Sequence, residues 1–248
     1  QSGGCGGGWQ DQPHATFDMG TSPPTLWVVW RHRGTDPGTY GGCVRYGFVE
    51  GAAGTIRWGD DAVPVLNMDR DDDFYGQGGM LIAARTVGQF TRVSVMYSNT
   101  DHMFDDCSGG KNIAWDTVTS DTLGIDWYKP IRVTSTSTFD WCAAGDQVQL
   151  GLREFWFAQD LATGDYWAAV HESPSRIGIF ASRDEGASWN RVRNVTEPGR
   201  TVFQPNIAVD AAGRVLVTWW RDQGFRVQRM GMGFGQPGIS VAADSLVE

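Results

Sequence analysis

The sequence predicts an all-β fold, a β-propeller with about four four-stranded antiparallel blades, and three observations predict it. Apolar residues recur with period two rather than 3.6 along the chain. Glycine, asparagine, aspartate and proline interrupt each apolar run after roughly a strand's length. Tryptophans at 58, 127 and 189, spaced 69 and 62 residues apart, end comparable segments. A period of that size suits one blade with its loops.

Taken in order, Gly3–Gly8, interrupted by Cys5, reads with its neighbours as a flexible arm over residues 1–13. Residues 14–248 read as one domain, a length that all-β domains commonly reach. Blades are expected at about 14–67, 69–137, 139–196 and 202–245. The first carries strand candidates Thr25–Trp30 and Val44–Val49, and the second Met80–Arg85, Val93–Tyr97 and Ile113–Val118. The third carries Val148–Phe157, Tyr166–Val170 and Ile177–Ser182, and the fourth Asn206–Asp210, Val215–Trp220 and Phe225–Met230. Four units fit a closed four-bladed ring or part of a larger propeller. Closure or tight association is favoured, because an open ring exposes strand edges.

Composition narrows the function. A net charge of −9 opposes binding to a polyanion, whose affinity rests on Lys and Arg replacing counterions, so nucleic acid is not an expected partner. Only Lys111 and Lys129 are lysines, which leaves the positive charge almost wholly to arginine. No apolar run approaches the ~18 residues of a membrane-span candidate. No signal-type segment opens at Gln1, which is read as lying near a mature N-terminus. Cys5, Cys43, Cys107 and Cys142 lack C-x-x-C spacing and read as two disulfides of a secreted, extracellular or periplasmic protein. Three pairings are open; Cys5 with Cys43 and Cys107 with Cys142 keep each bridge local to a repeat.

The segment Arg176–Trp189, RIGIFASRDEGASW, carries a compact motif in Ser182, Asp184, Gly186, Ser188 and Trp189. A short carboxylate can accept backbone N–H groups in a tight turn, glycine supplies backbone freedom, and tryptophan anchors the turn on the sheet. Ser120, Thr122, Gly124 and Trp127 repeat the frame without the aspartate, and the segment ending at Trp58 keeps little beyond the indole. This motif resembles the Asp-box (BNR) repeat of the sialidase superfamily. The resemblance implies that the turn joins the third and fourth strands of a blade, away from the catalytic face, which makes Asp184 a turn organiser.

The resemblance also places ligands at the face where second strands end. Four windows follow the second-strand candidates: Trp30–Arg33, Tyr97–His102, His171–Ser173 and Trp220–Gln223. They hold His32, His171, arginines and carboxylates. In a sialidase three arginines clamp the substrate carboxylate, a glutamate activates a nucleophilic tyrosine, and an aspartate assists as acid and base. Here Arg31 and Arg221 supply a clamp, and Tyr97, Glu172 and Asp101 supply the catalytic types, since guanidinium groups bind carboxylates bidentately and glycoside cleavage uses paired acid and base groups. The family's Arg-Ile-Pro motif is absent and a third arginine has no counterpart.

Asp69, Asp71 and Asp73 bring oxygen ligands of the kind Ca²⁺ selects, although the run lacks the glycine and distal glutamate of an EF-hand loop and equally suits a solvated connector. No other cofactor motif is present. Among twelve tryptophans, Trp141 in Phe139-Asp140-Trp141 and Trp156 in Glu154-Phe155-Trp156 are the ligand-surface candidates, with core packing as the alternative for each. The expected function is a glycan- or protein-binding module. An exo-glycosidase of sialidase type and a structural subunit of a cell-surface or particle assembly are the alternatives, the last predicting an oligomer.

Overall fold

The computed structural model describes residues 5, 9–33, 40–59, 62–65, 80–100, 111–123, 126–139, 155–173, 175–196, 199, 202–221 and 224–230. All of its regular structure is strand. The first sheet joins β1 (Trp9–Asp18), β2 (Thr25–Arg33), β3 (Tyr40–Glu50) and β4 (Thr55–Trp58) in order, with β5 (Val63–Pro64) pairing β3. The second is β6 (Leu81–Val87), β7 (Phe90–Thr100), β8 (Lys111–Ser120) and β9 (Ile131–Phe139). The third is β10 (Phe155–Gln159), β11 (Tyr166–Ser173), β12 (Arg176–Ser182) and β13 (Asn190–Thr196), and the fourth is β14 (Val202–Val209), β15 (Val215–Arg221) and β16 (Gly224–Met230). Successive antiparallel sheets, each filled in chain order, are the blades of the β-propeller class.

The segment read as an arm includes strand, because Trp9–Asp11 pair with Arg31–Arg33. A register shift between Asp11 and His14 contains Pro13, and a bulge is where a strand tolerates proline. The glycine-rich start and that proline concealed the strand.

The chain forms two compact units. In the first, alternate residues of β2 and β3, Trp27, Val29 and Val44, pack against Ile82, Ala84, Val93, Val95, Tyr97 and Val118 of the second sheet. In the second, Trp167, Ala169, Ile177, Ile179 and Ala181 pack against Val202, Ile207, Val215, Val217 and Trp219. Period-two alternation thus delivers one face of each sheet to a core. The second and third sheets also bury their other faces, through Met96 and Trp115 in one and Phe157, Tyr166, Ala168, Val170 and Phe180 in the other.

Carboxylates hold the turns from first to second strands in the first, third and fourth sheets. Asp160 Oδ1 accepts the amides of Ala162 and Thr163, and Asp210 Oδ1 those of Ala212 and Arg214. Asp18, 1% exposed, accepts the Gly20 amide at 2.8 Å and the Thr86 hydroxyl at 2.5 Å, which ties the β1–β2 turn to the end of β6. Nearer the middle of the same junction, His14 Nδ1 accepts the Ile82 amide at 3.3 Å, and burial holds the imidazole pKa below its ordinary value.

The β12–β13 turn is built on Asp184. Its carboxylate accepts the Ser182 hydroxyl and the Ser188 amide, both at 2.8 Å, and the Ser188 hydroxyl at 2.5 Å. Glu185 and Gly186 have φ of 56° and 93°, and Trp189 stacks on Tyr166 with centroids 6.5 Å apart. The β8–β9 turn repeats this geometry. Thr122 Oγ1 accepts the Asp126 amide at 2.8 Å and lies 3.2 Å from the Ser120 hydroxyl, and Leu123, like Glu185, is left-handed with φ of 57°. Trp127 packs against the first unit's core and donates its indole N–H to the Pro64 carbonyl at 3.0 Å. Trp58 differs: it lies within β4, 42% exposed, beneath the Arg45 guanidinium. The first of the three spaced tryptophans is therefore a strand residue, not a turn anchor.

Candidate functional site

The four windows singled out in the sequence occupy one topological position, the end of the second strand in each sheet. β2 finishes with Trp30–Arg33, β7 with Tyr97–Thr100, β11 with His171–Ser173 and β15 with Trp219–Arg221. In the first unit, Arg31 and His32 stand opposite Gly42 and Gly41 of β3 and opposite Asp11 and Gln10 of β1. Glycine pairs there keep the backbone ladder while leaving little side-chain bulk beside the window. In the second unit, Arg221 stands opposite Val202 and Gly224. The side chains of Arg31, His32 and Arg221, and the whole of Asp101, Trp141, Asp69, Asp71, Asp73, Cys107 and Cys142, lie outside the described residues.

Cys5 and Cys43 form a disulfide that bridges 38 positions and fastens the segment before β1 to β3, one strand over from this end of β2. Val63 and Pro64 pair with Val44 and Cys43 on the same strand. Beside them a Cβ on Gly42 would fall 2.2 Å from the Met80 sulfur, so glycine allows Met80 to seat against β3.

Tyr97 belongs to the first unit. It is 2% exposed, sits in the core cluster with Val95 and Val118, and stands directly opposite Asp116 across β7 and β8. The Asp116 carboxylate, itself buried, is bound by Arg132. Arg132 was not anticipated, because a lone arginine among the threonines and serines of β9 carries no sequence signal.

Glu172 belongs to the second unit, and its carboxylate is fully engaged. Arg191 on β13 grips it bidentately, Nη1 to Oε2 at 2.7 Å and Nη2 to Oε1 at 2.6 Å, and Arg176 on β12 approaches Oε2 at 3.3 Å. The Glu172 side chain is 1% exposed. Arg191 also donates to Asn194 Oδ1 at 2.6 Å and lies 4.6 Å over the Phe180 ring. The hydrogen bond to Glu172 is the main cause holding the Arg191 pKa above its usual value. Gly178 makes the arrangement possible: a Cβ there would come within 2.7 Å of Glu172 Oε2 and 2.8 Å of Arg191 Nη1. His171, the neighbour in sequence, is 1% exposed and stands opposite Ile177, on the sheet face that carries Trp167 and Ala169.

At the end of β11 Glu172 is thus committed to pairing and His171 to burial. Among the described residues no group of three or more His, Cys, Asp or Glu side chains is placed to hold a metal ion. No described helix is long and apolar enough to cross a membrane.

No family model and no curated protein matches this sequence. Solved structures resemble its fold. An α-L-arabinanase of Penicillium chrysogenum, complexed with arabinobiose, aligns with 95% of this chain and 65% of its own at 9% identity and a TM-score of 0.56. A protein of unknown function from Dyadobacter fermentans aligns over 89% and 65% at 12% identity and a TM-score of 0.53. The NanB sialidase of Streptococcus pneumoniae aligns over 92% and 51% at 8% identity and the same TM-score of 0.53. The chain therefore spans from half to just under two thirds of the length of these structures, and the likeness is one of fold.

Proposed function

We propose that this chain is a secreted, glycan-binding β-propeller that uses the ends of its second strands as the ligand face and does not hydrolyse what it binds. The observation carrying this reading is the state of Glu172. A carboxylate that must take a proton from a tyrosine needs an available lone pair and contact with that hydroxyl. Glu172 instead has both oxygens engaged by Arg191, with Arg176 also at Oε2, and Tyr97 is packed in a hydrophobic core. Both supply rigidity rather than proton transfer. Asp101 then loses the acid-base role that only the hydrolytic reading requires.

Arg31, His32, Arg221 and Trp141 remain as ligand contacts, a set suited to an acidic or hydroxyl-rich sugar through bidentate pairing and ring stacking. Sialidases and an arabinanase share the fold, so sialosides and arabino-oligosaccharides are the natural probes. The turn Ser182–Trp189 is read as an Asp-box and Ser120–Trp127 as a second one with Thr122 in the carboxylate's place. The Cys5–Cys43 bridge fits an oxidising, extracellular setting.

Titration calorimetry with sialyllactose, arabinobiose and neutral controls tests the proposal alongside fluorogenic sialoside and aryl-arabinoside turnover. The expected result is saturable binding of at least one glycan, weakened about tenfold, or ~1.4 kcal/mol, by Arg221→Ala, with no turnover. Turnover of any substrate, or binding of none, overturns it.

A further inference from the structure

We draw no further inference here: the strongest candidate, the exposed apolar side chains of Phe17, Met19, Val87 and Phe90 at the β1–β2 and β6–β7 turns of the first unit, which the Asp18–Thr86 hydrogen bond ties together, carries none, because nothing in the structure shows what covers them.

Discussion

Replacing Asp184 by alanine should destabilise the protein by about 2 kcal/mol, and the magnitude follows from what the carboxylate holds. Asp184 accepts one backbone amide and two serine hydroxyls at 2.5–2.8 Å. A hydrogen bond to a charged group contributes ~1.5–3 kcal/mol when buried, but the turn is exposed, so the three together amount to roughly one such bond, near the upper end of a capping substitution. For a domain of this size that lowers the melting temperature by about 4–8 °C. Burial works against ionisation of Asp184, and the hydrogen bonds from Ser188 and Ser182 outweigh it, leaving the carboxyl pKa below its ordinary value. The stabilisation is therefore complete above the usual carboxylate range and disappears as pH falls through the depressed folded value. Calorimetry of wild type and Asp184→Ala at pH 7, 5 and 3 should show a constant gap at the first two and a smaller one at the third. The matching gain-of-function variant, Thr122→Asp, supplies a carboxylate where the Asp126 amide already points, and should add ~0.5 kcal/mol. A gap under 0.5 kcal/mol for Asp184→Ala, or one unchanged at pH 3, would refute the hydrogen-bond account.

Two other perturbations test the described junctions. His14 must keep Nδ1 unprotonated to accept the Ile82 amide, and its pKa is held low by burial. Its contribution is full above pH ~6.5 and is lost as pH falls through the lower folded value. Urea midpoints from pH 7.5 to 5 should decline for wild type and decline less for His14→Asn; parallel profiles would count against the assignment. Glu172→Gln strips Arg191 and Arg176 of their shared carboxylate. Breaking a buried pair costs ~3–5 kcal/mol, reduced here to about 2 because both guanidinium groups reach solvent. Urea unfolding reads the loss directly, and a change below ~0.5 kcal/mol would show that the pair contributes no rigidity.

The architecture was legible because it rests on local, periodic signals. Alternation in β7, β8 and β12 and the Asp184 turn each identify themselves within about ten residues, and the turn falls between the third and fourth strands of its sheet, as the Asp-box resemblance implies. Thr122 shows the limit of motif reading: the sequence lacks the aspartate, yet a hydroxyl reproduces the same amide acceptance and the same left-handed residue. Trp58 shows the opposite error, since a spacing match placed it with Trp127 and Trp189 although it belongs to a strand. The pairing of Glu172 with Arg191 spans 19 residues and depends on strand register and on the space above Gly178. Neither is visible in residue types. A window rich in His and Glu therefore looked reactive, while the fold uses both side chains internally.

The two ends of the sheets divide the chemistry between them. At the turns from first to second strands, and at the β12–β13 turn, the carboxylates of Asp18, Asp160, Asp210 and Asp184 each accept a main-chain amide. Such groups fix hairpin geometry and have little capacity left for a ligand. At the other end the second strands finish in residues that differ from sheet to sheet, among them Arg31, His171 and Arg221. A repeated scaffold must spend the same residues on the same turns, whereas recognition requires residues that differ around the repeat. Residues that differ at the second-strand ends suit the proposed binding face, and in that proposal the pairing of Glu172 with Arg191 belongs to the scaffold.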